Sequence, residues 1–183
     1  VAEPMSLKIS VDGSRVQLRH AQDDGLAYAG KVQSFDVNEL EAKERLAGGE
    51  DSAISLEAFY GGATFHGPLL QGIKRIDGVG SDFVRGTVAC SKPTDWIPGT
   101  DRATWAIDPL ALDSAMQLAA SVAYTRYERA GTPFGIAKYV QLREHQAETL
   151  AVDVRFSEPE GDRFTAELSF YTEDGTLVAY AEG

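Results

Sequence analysis

Three polar residues stand out for the chemistry their surroundings would allow. Asp113 and Gln117 lie four apart in PLALDSAMQLAASVAYTRYER, a stretch otherwise apolar almost all round as far as Tyr124. Residues four apart share a helix face, so the Gln117 amide can hydrogen-bond the Asp113 carboxyl and orient it. No Lys or Arg lies within helical reach of Asp113. A carboxyl taken out of water without a cationic partner tends to keep its proton. Protonated, held in one rotamer and facing a dry tunnel, it is a general acid. The competing reading is that Asp113 faces a water-filled edge or caps a neighbouring backbone group. The third residue is His66, which with Gly67 and Pro68 forms a turn in FHGPLLQGI. It can act as a hydrogen-bond donor, as a base, or simply as a partly exposed turn histidine.

Other polar groups carry less. Gly78-Val79-Gly80 lacks a third glycine and a following helix, so it reads as a hairpin turn rather than a phosphate loop. Cys90 reads as a strand residue, not a nucleophile. Trp96 and Trp105 flank a loop and serve to pack it down. One cysteine and three scattered histidines form no metal-ligand cluster.

The elements that must hold Asp113 in place follow from local pattern. Asp108-Pro109 is a strong helix start, because Asp caps free N–H groups and Pro is preset for the first helical position. The predicted helix runs from Pro109 to about Arg129, with Tyr124 and Tyr127 marking its emergence. A helix apolar on every side must be covered on most of them, which calls for a curved sheet around it. The sheet is supplied by FVRGTVAC and, after the helix, by AKYVQLRE, TLAVDVRFSE, DRFTAELSFYTEDG and TLVAYAEG, read as a meander with a turn at Glu173-Asp174-Gly175. SLEAFYGG opens with a short helix, and SKPTDWIPGTDR reads as loop. Further upstream, Asp12-Gly13 and Asp24-Gly25 separate three β-type runs in residues 5–34, a hairpin signal. Residues 36–51 read as an exposed linker. One long helix followed by antiparallel strands is α+β.

The 183 residues suffice for one ordinary domain or one and a half small ones. With 43% hydrophobic and 25% charged residues the composition is that of a soluble globular chain. Seventeen basic against 28 acidic residues give a formal charge of −11, which repels phosphate backbones and argues against nucleic acid. No apolar run reaches the roughly 20 residues of a membrane span. The lone Cys90 excludes an internal disulfide framework and suits a reducing cytoplasm. Val1, in place of an initiator Met, suggests a chain cut from something longer.

The motifs together resemble polyketide synthase dehydratase domains, over roughly residues 52–183. LALDSAMQ resembles the Leu-Leu-Asp-x-x-x-Gln segment of the second hotdog helix in that family. FHGPLLQGI resembles its Tyr-Gly-Pro-x-Phe-Gln-Gly segment, and TPFGIAKYVQL its Leu-Pro-x-x-Ile strand entry; order and spacing agree. Residues 1–35 resemble the closing strands of a preceding hotdog, with Ala29-Gly30 near their end. Polyunsaturated fatty acid synthase dehydratases share this plan. The resemblance implies a hotdog fold, a long central helix wrapped by a curved antiparallel sheet. It also implies loss of water from a 3-hydroxyacyl chain, with no cofactor beyond the phosphopantetheine arm of an acyl carrier protein. By the same resemblance Asp113 is the acid, Gln117 its orienting partner, His66 stands at the family's tyrosine, and Gly67 and Pro68 lie against substrate.

The family's base opens a His-x-x-x-Gly-x-x-x-x-Pro motif, which His20, His66 and His145 all fail to match. The base is then expected from an N-terminal hotdog outside this sequence, and this chain alone should be inactive. A non-catalytic dehydratase-like scaffold and a thioesterase-type hotdog are the alternatives. Neighbouring synthase domains and the carrier protein are the implied partners, with Lys74-Arg75, or Arg126 and Arg129, as cations for docking.

Overall fold

The computed structural model describes residues 6–34, 43–128, 131–161 and 163–183. Two compact units divide the chain between Leu40 and Glu41. In the first, β1 (Leu7–Asp12), β2 (Arg15–His20) and β3 (Leu26–Lys31) form an antiparallel sheet in that order. The β1–β2 turn sits one residue later than the Asp-Gly signal suggested. Asp12 pairs with Arg15, so Gly13 and Ser14 form the loop, and Gly13 supplies the positive φ of 56°. The apolar residues of this sheet remain open: Ile9 is 71% and Tyr28 63% exposed.

The second unit is built on one sheet and one long helix. Its strands are β4 (Ile73–Val79), β5 (Phe83–Ala89), β6 (Lys138–Gln141), β7 (Thr149–Phe156), β8 (Ala166–Tyr171) and β9 (Leu177–Glu182). They pair antiparallel in the order β4-β5-β7-β8-β9-β6. The meander expected after the helix holds for β7, β8 and β9, whereas β6 crosses to the far edge and pairs with β9. The predicted Gly78-Val79-Gly80 turn is displaced too. Gly78 and Val79 belong to β4, and Ser81-Asp82 make the reversal, closed by the Gly80 N–H on Phe83 O.

The short α1 (Leu56–Ala58) is capped by Ser55 and runs on into a wide π-type turn, Phe59–Ala63. A second short helix, α2 (Pro93–Trp96), interrupts the stretch expected to be loop. The long helix α3 (Pro109–Tyr127) begins as the Asp-Pro signal predicted, and Glu128 leaves it in the left-handed region at φ 51°. Arg129, where the helix was expected to end, lies outside the described residues. Along α3, Ala111, Ala115, Leu118 and Val122 meet Val84, Val88, Val152, Val154 and Phe170 of the sheet in one core. Gly86 of β5 leaves room for the helix, since a Cβ there would lie 2.9 Å from Leu118 Cδ2.

The described part of the 36–51 segment is mostly exposed and makes a few contacts with the sheet. Among residues 43–50 Leu46 is buried and Lys43 half-buried, and the others are exposed. Arg45 and the Leu46 N–H both bond the buried Asp153 carboxylate, and Leu46 is 8% exposed. Arg85 of β5 reaches the Leu46 and Gly48 carbonyls, and Glu50 bridges to Val79. Asp153 alternates outward from the core residues Val152 and Val154, so without Arg45 and Leu46 it would be a solvated strand residue.

Candidate active site

The apolar helix does not bury every face. A stripe of Leu112, Asp113, Met116 and Ala120 is only partly covered, and the Asp113 side chain keeps 25% of its surface exposed. Gln117, one turn on, is 2% exposed. Its Nε2 donates to Asp113 Oδ2 at 2.6 Å and to Leu70 O at 2.8 Å. The orienting contact expected from the four-residue spacing is therefore present, and Gln117 is itself held by the segment that carries His66.

That segment approaches because of Gly72. A Cβ on Gly72 would lie 2.1 Å from Ser114 Oγ and 2.8 Å from Leu110 Cδ1, so only glycine lets the chain pass against the first turns of α3. The turn before it is a single 3₁₀ turn, Pro68–Leu70, entered from Gly67. The His66 carbonyl accepts from Gln71 Nε2 at 2.9 Å, and the His66 ring stacks on Phe65 at 4.6 Å. Its Nδ1 meets Thr64 Oγ1, and its Nε2 lies 3.5 Å from Asp113 Oδ2. Asp113, Gln117 and His66 are thus one cluster. Gly67 and Pro68 are exposed on its rim and make no side-chain hydrogen bond.

One member of this cluster was missed by the sequence reading. Tyr60, in the π-type turn, donates to Gln117 Oε1 at 2.8 Å and accepts the Ile73 N–H at 3.0 Å. Burial pushes its phenol up, opposed by the Ile73 bond and reinforced by the nearby Asp113 charge. Its neighbour Phe59, 1% exposed, packs edge-on to it at 5.3 Å.

Among the described residues, cavities also lie elsewhere on α3. One of about 790 Å³ borders Met116, Ala119 and Ala120 on the helix, Thr132–Ala137 after it, and Phe164 and Leu168. Neither Asp113 nor His66 lines it, so the tunnel expected in front of the acid does not coincide with this space. Another, about 320 Å³, lies by the helix start and is bordered by Cys90, Trp105, Asp108 and His145. The Trp105 indole donates to Ser91 Oγ and packs edge-on to Trp96, the loop-packing role expected of the pair. The proposed docking cations are largely occupied. Arg75 bonds Asp77 and Thr87, and Arg126 holds the Gly80 and Ser81 carbonyls; Lys74 is exposed.

A long helix packed across an antiparallel sheet of this order is the hotdog arrangement. Residues 39–183 match the family model described as "Polyketide synthase dehydratase N-terminal domain", and the chain belongs to that polyketide synthase dehydratase family. Among solved structures it is similar to GphF dehydratase 1, with TM-score 0.68 and 19% identity over 96% of this chain and 65% of that one. It is similar to the dehydratase domain from the CurJ module of curacin polyketide synthase, with TM-score 0.64 and 18% identity over 97% and 65%. The dehydratase domain of RzxB from Pseudomonas fluorescens gives TM-score 0.62 and 17% identity over 96% and 65%. The chain thus spans about 65% of the length of these structures. A search of curated proteins found no match. Among the described residues no helix is long and apolar enough to cross a membrane.

Proposed function

We propose that this chain supplies the acid half of a dehydratase that removes water from a 3-hydroxyacyl thioester on an acyl carrier protein. The observation that carries the reading is the asymmetry of the Asp113 carboxyl. Oδ2 accepts from Gln117, while Oδ1 has no partner among the described residues. A proton on Oδ1 is therefore free to leave. A base removes the C2 proton, its electron pair forms the C2–C3 double bond, and the C3–O bond breaks. The departing hydroxyl takes the Oδ1 proton and becomes water, and the Asp113 carboxylate left behind keeps the Gln117 N–H. Asp113 is the catalytic residue in this scheme and Gln117 its positioning partner. His66, standing for the family's tyrosine, is within reach of the same carboxyl, with Gly67 and Pro68 flanking the substrate.

The base is the residue this chain does not offer. His20, His66 and His145 lack the family's base motif, and the chain covers only part of the dehydratases it resembles. A further hotdog carrying the histidine completes the site in this reading. Residues 52–183 are then the second hotdog and residues 1–35 the closing strands of the first. The matching family description speaks of an N-terminal domain; three β-strands ahead of the matched region favour the second position. The 183 residues alone would then produce no enoyl thioester. The acyl group arrives on the carrier's phosphopantetheine arm, so the domain needs no cofactor of its own, and a cytoplasmic synthase is the setting. Carrier proteins are usually acidic and this chain carries −11, so capture relies on tethering or on a local cation such as Lys74.

Asp113→Asn in the complete dehydratase tests the assignment. A fall of roughly 10²–10⁴ in turnover of a 3-hydroxyacyl thioester is expected, the range of general acid catalysis. Undiminished turnover by a folded variant would overturn it.

A further inference from the structure

Gln117 could point either end of its amide at Asp113, and the end it presents decides where the acid's proton can sit. The bonds around Tyr60 settle the choice. A backbone N–H can only donate, so the Ile73 N–H occupies the Tyr60 oxygen as acceptor at 3.0 Å. The single phenolic proton is then directed to the other partner, Gln117, 2.8 Å away. The atom receiving it must be the amide oxygen. With Oε1 held there, Nε2 faces the two remaining neighbours, Leu70 O at 2.8 Å and Asp113 Oδ2 at 2.6 Å, both acceptors. Three hydrogen bonds run in one direction from the Ile73 amide to the carboxyl, and a fourth branches from Gln117 Nε2 to Leu70 O.

We infer that Tyr60 is a positioning residue that fixes the polarity of the Gln117 amide, so that Asp113 Oδ2 always meets a donor and the transferable proton resides on Oδ1. The inference rests on Asp113 being the acid. A reversed amide would set Oε1 against Asp113 and against the Leu70 carbonyl. The acid's proton would be drawn to Oδ2, bonded to Gln117 and turned from the substrate. The carboxylate formed after proton transfer would face an oxygen instead of an N–H, losing a charge-assisted bond. Burial favours the protonated phenol, so the lock keeps its donor at working pH. The edge-on Phe59 ring, 1% exposed, fixes the ring that carries the hydroxyl.

Tyr60→Phe keeps the ring and removes the hydroxyl. In the complete dehydratase kcat should fall about tenfold, the size of one hydrogen bond to a charged group, with KM held within about twofold. In a Gln117→Leu background the same change should add less than about twofold, because the two residues act through one path. A raised KM with kcat intact, or effects that multiply in the double variant, would overturn the relay. A second measurement needs no turnover. The ¹⁵N-labelled Gln117 side-chain amide of the 183-residue chain should give a resolved, exchange-protected proton pair that disappears in Tyr60→Phe. If the pair persists unchanged the lock is refuted, whatever the activity. If it disappears while the complete wild-type dehydratase turns over no 3-hydroxyacyl thioester, the lock stands and the functional reading is what fails. Should Tyr60→Phe not fold, Gln117→Glu, which sets an oxygen permanently opposite Asp113, should lower kcat at constant KM; an undiminished kcat there would overturn the idea.

Discussion

The cap of α3 and the turn after it each carry an aspartate, five residues apart, in opposite states of satisfaction. At the cap, Asp108 is 8% exposed and accepts four hydrogen bonds: from the Leu110 and Ala111 N–H groups, and from the N–H and hydroxyl of Ser91. Its charge is spent on holding the loop to the helix. One turn later Asp113 has a single short bond, from Gln117, and one oxygen with no partner among the described residues. A carboxylate saturated by backbone donors is a structural element, whereas one held from one side only can still exchange a proton. Asp153 repeats the first pattern on the sheet, where Arg45 and the Leu46 N–H fill it.

The cap also imposes itself on its neighbours. Cys90 lies where β5 ends, and burial, with the Asp108 charge beside it, pushes its thiol up to about 12. Burial lowers the basicity of His145 across the same cavity, with Asp108 pulling the other way. The thiolate is the reactive form of cysteine. Against an ordinary thiol near 8.5, the thiolate fraction at pH 8 should be lower by roughly 10³. Iodoacetamide should therefore modify Cys90 about that much more slowly than it modifies the urea-unfolded chain. Equal rates would show that the cap is open and the comparison of the two aspartates unsound.

The next effect is on stability. Asp108→Ala removes a helix cap and leaves the Ser91, Leu110 and Ala111 amides without their acceptor, at a cost of about 2–3 kcal/mol. Asp113→Asn should cost less than about 1 kcal/mol, since a partly exposed side chain of the same shape keeps its place. Denaturant midpoints of the two variants measure the contrast. If Asp113→Asn proves as costly as Asp108→Ala, Asp113 is a structural residue and the acid assignment falls with it.

This contrast explains which parts of the molecule were legible in the sequence. The Asp-Pro start, the Asp113–Gln117 pair and the Gly-Pro turn with His66 are local signals, written within one turn or one loop; the first begins α3 and the other two meet in one cluster. The α+β class followed from one all-apolar helix among β-patterned runs, and the hotdog fold from the resemblance of the motifs to a family. Tyr60 was invisible because its role depends on a π-type turn bringing its hydroxyl to Gln117, 57 residues away. The contacts of Arg45 and Leu46 with the sheet were not legible for a similar reason. LEAKERLAGG looks like a polar linker until Asp153, 108 residues from Arg45, supplies the partner that draws it onto the sheet. The crossing of β6 to the far edge depends on which strand edges are free, which strand patterns do not record.

The smallest expected effect concerns Ser114, the residue after Asp113. It is 0% exposed and its hydroxyl has no partner among the described residues, although Gly72 gives it room. A buried hydroxyl without a bond contributes an uncompensated desolvation cost. Ser114→Ala removes the oxygen, keeps the Cβ contacts with the core, and replaces serine by the best helix former. The folded state should gain up to about 1 kcal/mol, read as a higher denaturant midpoint with unchanged slope. Turnover should stay within about twofold, because the hydroxyl bonds neither Asp113 nor Gln117. A loss of stability would mean that Ser114 has a water or substrate atom as its partner in solution. The unsatisfied group of this region would then be Asp113 alone, sharpening the difference between the helix cap and the turn that follows it.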